Sequence, residues 1–413
     1  MALPPRTLGR PVSPDGAGRQ LRIGLHSPFF GSTLGGGEKY LGGAAEAIRD
    51  AFPQHSVEIV SPVPVDAALY QRMLGLDLRG IRFREAPAGA DGGGGLLRRL
   101  NGVASLRRLR NLVLAGQALL VSRRFDLFVS MAYVIPAVTR ARRSLVICQF
   151  PYELDGVGGR FLWRRELDRF DAVVCYSEYV RGWIQRYWGR DATVVTPPID
   201  IPAAEPDWDA KQQTILSVGR FFAAGHNKRQ DVMVRTFREM VDGGLAGWKL
   251  VLAGSVHSDA LNAGYYESVV DMARGYPIEI HAGPSYEEVQ DMYRQASIYW
   301  HAAGTGVDLD ARPVDAEHFG MTTAEAMGHG VVPVVIAAGG QPEVVTDGVD
   351  GHVWGDEAQL RRYTLELTQD PGLRRRLGEA ARLASRRFDR GTFQRGIVGA
   401  VAPLVRQLEA EAR

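Results

Sequence analysis

Two cysteines, Cys148 and Cys175, are the only thiols in 413 residues. They lie far apart, and neither has a histidine cluster nearby. That excludes a disulfide scaffold and gives no zinc-ligand spacing. Such usage fits a reducing cytoplasm. Long apolar runs are lacking too. No stretch of about 18 uninterrupted apolar residues occurs, so a membrane-spanning helix is not expected. The formal net charge is +2, too small to call for a nucleic-acid partner. Residues 1–19 are rich in Pro, Gly and Arg without an apolar period. They lack the h-region of a signal peptide and read as a disordered lead-in.

What the chain does have is ordinary globular substance, 45% hydrophobic, at a length that favours two domains. Short apolar strands are expected at 21–26, 57–60, 127–130, 145–148, 172–175 and 193–195, with helical patterns between most of them. Residues 196–213 hold Pro197, Pro198, Pro202 and Pro206 among scattered charges, as an interdomain linker would. A second series of strands is expected at 214–218, 249–253, 278–281, 298–300 and 331–336. The fold class is therefore α/β, with two Rossmann-like domains, 20–205 and 206–390, facing a cleft. The remainder, 391–413, is a C-terminal helix expected to pack back on the first domain. Ligands of such sheets lie beyond the carboxyl ends of the strands.

Residues 97–124 alternate arginines (Arg98, Arg99, Arg107, Arg108, Arg110, Arg123, Arg124) with Leu and Val. Leu106, Leu109, Leu112, Val113 and Leu120 fall on one helical face. A surface helix accounts for this pattern. The alternative is a helix lying on a membrane surface, serving a lipid-bound acceptor.

Three motifs carry chemistry. The first is Glu317-His-Phe-Gly-Met-Thr-Thr-Ala-Glu325, a loop and helix start. Free backbone N–H groups near Gly320 to Thr323 suit a diphosphate. Glu325, one turn in, can accept from ribose hydroxyls. Glu317, in the preceding loop, is nearer a sugar. The second is Gly219-Arg220, with Lys228 eight residues beyond Arg220, after the strand at 214–218. Arginine offers phosphate a planar fork and lysine a point charge, and together they can offset a leaving group's charge. The third is the Gly35-Gly36-Gly37 turn, where backbone can approach a ligand closely. It is not the G-x-G-x-x-G dinucleotide pattern. Asp308-Leu-Asp310 looks like a D-x-D metal motif but reads as a solvated loop. No cluster of Asp and His points to a metal, so neither a metal nor another cofactor is expected.

In this order the motifs resemble the family 4 glycosyltransferases. The resemblance spans roughly residues 21–400. Its strongest element is the E-x7-E spacing of Glu317 and Glu325. It is supported by GGGEKYL at Gly35, YSEYVRGWIQRYWG at Tyr176, PPID at Pro197, SVGRF at Ser217, LAGSV at Leu252, GGQPEVV at Gly339 and DGVDGHVW at Asp347. It implies a two-domain GT-B fold, a nucleotide-diphosphate sugar such as a UDP- or GDP-sugar as donor, and transfer with retention to a glycan, lipid-linked or small-molecule acceptor. Arg220 and Lys228 would hold the diphosphate, Glu325 the ribose, and Glu317 would lie beside the sugar. His318 belongs to the same donor loop. Backbone groups of Phe319, Gly320, Met321 and Thr322 would meet sugar and phosphate, Gly36 and Gly37 would approach from the first domain, and Ser285 would lie near the base. Where many members carry a histidine on the acceptor side, this chain has Gln149, which can orient a hydroxyl but cannot act as a base. Arg229 stands where the family often has glycine. Two alternatives share the fold: an epimerase or hydrolase acting on the donor alone, which needs extra acid/base residues, and a non-catalytic nucleotide-sugar binding protein.

Overall fold

The structure, a computed structural model, describes residues 19–31, 35–86, 116, 118–133, 138–154, 160–223, 225–256 and 259–412. Most of the 1–19 lead-in and of the Arg-rich 97–124 stretch lies outside the described residues.

The first domain runs β1 (Arg22–His26), α1 (Gly36–Ala51), β2 (Ser56–Ser61), α2 (Ala67–Leu74), β3 (Arg82–Glu85), β4 (Leu127–Tyr133), β5 (Arg143–Phe150), α3 (Arg160–Leu167), β6 (Ala172–Cys175), α4 (Glu178–Trp188) and β7 (Thr193–Val194). Its strands form one parallel sheet in the order β3-β2-β1-β4-β5-β6-β7. The central strands are buried on both faces, which is why they read as continuous apolar runs.

The second domain runs β8 (Thr214–Val218), α5 (Gln230–Asp242), β9 (Lys249–Gly254), α6 (Ala260–Ala273), β10 (Ile278–Ala282), α7 (Tyr286–Gln295), β11 (Ile298–His301), α8 (Met321–Gly328), β12 (Val332–Ile336), α9 (Gln341–Val344), β13 (His352–Trp354), α10 (Glu357–Gln369) and α11 (Pro371–Ser385). Its parallel sheet has the order β10-β9-β8-β11-β12-β13. Both sheets reverse direction of winding at a switch point, between β1 and β4 and between β8 and β11. Ligands of such sheets bind at that point, beyond the carboxyl ends of the strands.

The last helix, α12 (Arg390–Glu411), leaves the second domain and packs along α1 of the first. Phe393 meets Tyr40 edge-on at 4.9 Å and packs closely over Gly43, where a Cβ would stand 3.0 Å from its ring. Asp389 caps the helix through the Thr392 N–H. One apolar cluster spans both domains, with Phe319, Ala324 and Met327 joining Tyr40, Ile397 and Val401.

The connection at 196–213 is free of helix and strand but tightly pinned. Arg382 of α11 donates to the carbonyls of Gly328, Pro202 and Ala204. A second clamp crosses between the domains, where Glu343 of α9 accepts from the Glu178 and Tyr179 N–H groups at the start of α4. A carboxylate there meets the orphan donors and dipole of a helix N-terminus. Among the described residues, no helix is long and apolar enough to cross a membrane.

Two strands differ from the sequence expectation. β3 and β13 lie at sheet edges, and neither carries an apolar run. β3 is Arg-Phe-Arg-Glu, mostly exposed, with Arg84 paired to Glu58 of β2. Charged side chains suit an edge that must not recruit another strand. β4 and β5 also extend further than their apolar cores, to Tyr133 and Phe150. Tyr133 and Phe150, at those ends, face His318 of the second domain.

Candidate active site in the interdomain cleft

Several loops at carboxyl ends of strands converge on the start of α8. Gly320 opens that helix in the left-handed region, at φ 112°, with the Gln341 amide packed where a side chain would begin. Only glycine takes this turn without strain. Across the cleft, the Gly-rich turn opens α1. A Cβ on Gly36 would stand 2.8 Å from Met321 Sδ, and one on Gly37 would stand 2.5 Å from Gln149 Nε2. Gly36, Gly37, Gln149 and Met321 are thus brought to one place by close approach of the two domains. Gln149 Nε2 also touches Met131 Sδ at 2.9 Å.

Glu317 is the electrostatic centre. It is buried, in the loop after β11, and ion-paired to Lys228. Its Oε2 lies 3.0 Å from His301 Nε2 and its Oε1 lies 3.4 Å from His226 Nε2. Burial alone would raise its pKa. The Lys228 ammonium and then the His226 imidazole overcome this and hold the carboxyl well below the usual range. His226 and His301 are lowered as well, but by burial, and Glu317 only partly offsets it. Lys228 Nζ is also 3.1 Å from His226 Nε2, so this nitrogen accepts from the ammonium. An ammonium has three donors. With two directed at Glu317 and His226, one remains for a ligand.

Arg220 follows β8 and is exposed, its guanidinium 5.8 Å from the Phe222 ring centroid. Its backbone is set from behind. Gln230 Nε2 donates to the carbonyls of Gly219 and Arg220, and Gly254 packs flat against Gly219. A Cβ on Gly254 would collide with the Gly219 carbonyl, which is backbone and cannot swing aside. Gly254→Ala is therefore expected to cost about 1–3 kcal/mol and to displace Arg220. Thermal denaturation should show the loss.

The remaining predicted residues divide. The His318 ring lies 4.8 Å from Phe150 of the first domain and 4.8 Å from His226, and burial lowers its pKa to about 3. It is a neutral packing element of the cleft wall. Phe319 turns into the shared core, edge-on to Phe388 at 5.1 Å, so only its backbone is available to a ligand. Thr322 Oγ1 accepts from Tyr299 at 2.7 Å. Glu325 Oε1 is 3.2 Å from Lys39 Nζ, and its Oε2 accepts from Tyr293 at 3.3 Å. Ser285 stands apart in bonding: it caps α7 in a reciprocal box with Glu288, which by itself accounts for serine there. Asp308 accepts from the N–H groups of Asp310 and Ala311 within its own turn. No group of His, Cys, Asp and Glu among the described residues is arranged to hold a metal ion.

Sequence reasoning missed His226, His301, Tyr293 and Lys39. His301 ends β11 beside the switch point, and His226 sits two residues before Lys228. Their positions were signals. Lys39 and Tyr293 gave none, because their partner lies 286 and 32 residues away.

Residues 200–384 match the family model of glycosyl transferases group 1. That span is the linker and most of the second domain. The chain is 22% identical over 247 residues to a Dictyostelium discoideum protein named GDP-Man:Man(3)GlcNAc(2)-PP-Dol alpha-1,2-mannosyltransferase, covering 56% of this chain and 46% of that protein. The chain spans about half the length of the curated relatives it matches. Among solved structures it superposes on sucrose-phosphate synthase from Thermosynechococcus elongatus with a TM-score of 0.67 at 17% identity, covering 95% of this chain and 100% of that one. Anabaena HepE, in complex with UDP and glucose, gives 0.64 at 13% identity, covering 93% and 100%. The fold is GT-B. In this GT-B chain the glycosyl transferases group 1 match falls on the domain that carries Arg220, Lys228, Glu317 and Glu325.

Proposed function

We propose that the chain is a retaining glycosyltransferase of family 4, moving a hexose from a UDP- or GDP-sugar to a hydroxyl of a glycan, glycolipid or small-molecule acceptor. The reading rests chiefly on the convergence of Lys228, Glu317 and the start of α8, opposite Gly36 and Gly37. Both donor nucleotides have support among similar proteins: the Dictyostelium relative is named for GDP-mannose, and the Anabaena structure holds UDP and glucose. The work is cytoplasmic in this reading. Contact of the Arg-rich 97–124 stretch with the inner membrane face would suit a lipid-linked acceptor.

Arg220, the third donor of Lys228 and the N-terminus of α8 would receive the diphosphate. Glu325 would accept from the ribose hydroxyls. The acceptor hydroxyl attacks the anomeric carbon on the face from which the diphosphate departs. The new C–O bond forms as the bond to phosphate breaks, and the acceptor proton passes to the leaving phosphate oxygen. Positive groups held beside that oxygen would need little reorganisation during the step, so this reading calls for no metal and expects activity to persist in excess EDTA. Gln149, beside Gly37, would orient the acceptor side.

Kinetics separates the two glutamates. Glu317→Gln is expected to lower kcat with little change in donor affinity, because its charge matters most as positive charge develops at the sugar. Glu325→Gln is expected to raise the donor KM and leave kcat nearly unchanged, as loss of uniform binding does. Proton NMR tests the stereochemistry. During slow donor hydrolysis of an α-linked sugar, the α anomer should appear first; β first would overturn retention.

A further inference from the structure

Lys39 follows the Gly-rich turn, in the first turn of α1, and none of the roles above uses it. Its side chain is 5% exposed, and its Nζ reaches out of the first domain in two directions. It lies 2.9 Å from Asp200 Oδ2, in the connection between the domains, and 3.2 Å from Glu325 Oε1, on α8 of the second domain. Burial would depress the ammonium's pKa, but the Glu325 and Asp200 carboxylates outweigh it and the net shift is upward. The ion is thus held charged at the junction of three parts of the chain. Tyr286 and Tyr293, both near this network, bear no charge at neutral pH, and Arg390 approaches Asp200 from α12 at 3.7 Å.

A carboxylate offers about four acceptor positions. Lys39 and Tyr293 take one on each oxygen of Glu325, and the side chain keeps 13% of its surface open. A glutamate side chain has three rotatable bonds, and aiming it at a vicinal diol costs entropy unless something holds it. We infer that Lys39 is a positioning residue of the donor site, holding Glu325 from across the domain boundary so that its open positions face the ribose hydroxyls. The grip on ribose then depends on how the first domain is seated against the second. This rests on the reading of Glu325 as the ribose ligand.

The test is calorimetry with UDP and GDP against their 2′,3′-dideoxy forms. The wild-type protein should prefer the parent nucleotide by on the order of tenfold to a hundredfold, the worth of hydrogen bonds to a charged group. In Lys39→Met that ratio should collapse towards one, chiefly through weaker binding of the parent. Lys39→Gln keeps a donor without a charge and answers the same question, with a smaller fall, if the methionine variant does not fold. A purely structural role would weaken parent and dideoxy forms alike and leave the ratio intact, which would overturn the inference. Tighter binding of the parent by Lys39→Met would also overturn it, by making Lys39 a competitor of the ribose. Glu325→Gln is the reference. If it loses the ratio while Lys39→Met keeps it, the ribose role stands and the positioning role falls. If it keeps the wild-type ratio, the ribose role itself fails.

Discussion

Lys228→Ala is expected to lower kcat/KM for the donor by on the order of a hundredfold and to destabilise the protein at the same time. A charge-assisted hydrogen bond to phosphate is worth roughly 1.5–3 kcal/mol, a factor of about ten to a hundred. The second effect follows from the ion pair with Glu317, whose side chain is 11% exposed. Removing one member of a buried pair leaves a charge without compensation, at about 3–5 kcal/mol. His301 and His226 remain beside Glu317, but burial lowers both and limits how far they replace the ammonium. The double variant Lys228→Ala with Glu317→Gln removes the stranded charge. It should recover much of the stability and none of the activity. Denaturant titration and steady-state kinetics on the single and double variants check both halves. Arg220→Ala gives the contrasting case: it is exposed, so activity should fall about tenfold or more with stability nearly unchanged. Wild-type kcat/KM in both Lys228→Ala and Arg220→Ala would remove the phosphate assignment.

Acid should unfold this protein through its buried histidines. Burial lowers the pKa of His26 to about 4, of His329 to about 4 and of His318 to about 3. Each is neutral in the folded chain, while the unfolded chain takes up a proton near pH 6.5. The folded pKa is the lower one, so the unfolded state binds more protons between the two values and stability rises with pH there. The contribution is fully present above about pH 6.5 and is lost as pH falls through 4. Each histidine adds a slope of about 1.4 kcal/mol per pH unit within that window. The neighbours of these rings do not reverse the sign. His226 and Lys228 near His318, and Lys211, Arg294 and Arg382 near His329, are basic groups that oppose a further charge. Glu317 near His318 works the other way without prevailing. Glu46 and Glu343, whose carboxyls burial raises, also oppose the trend. Urea midpoints should drop steeply as pH falls from 6.5 to 4, while above pH 7 the buried Lys211, its pKa lowered to about 7, adds a further rise with pH. In His329→Gln the drop should be shallower by one proton's share. A level profile down to pH 4 would show that these rings are hydrated in solution.

How much of this was readable beforehand depends on whether a feature is local. β6 and β8 are short apolar runs bounded by turns, and their observed ends, Ala172–Cys175 and Thr214–Val218, are those expected from the run alone. The start of α8 was legible because Gly320 breaks the pattern ahead of a run of helix formers. The edge strands β3 and β13 were not, since pairing with a neighbour, and not their own hydrophobicity, makes them strands. The site was legible in its cations and glutamates and hidden in its pairings. Nothing local to Lys228 says that it bonds Glu317, 89 residues on, or that His301 would meet the same carboxylate. In the sequence, Gly36 and Gly37 read as turn residues where backbone can approach a ligand closely. The structure gives a different reason for them: Met321 and Gln149 fill the space where side chains would stand.

The central claim is that this cleft binds a nucleotide-diphosphate sugar through Arg220 and Lys228. Isothermal titration of the purified protein with a panel of UDP- and GDP-hexoses tests it most directly, with Arg220→Ala and Lys228→Ala titrated alongside. The account predicts saturable binding of at least one donor in excess EDTA, weakened on the order of tenfold or more in each variant. No binding by any donor of the panel, or equal affinity in wild type and both variants, would contradict it.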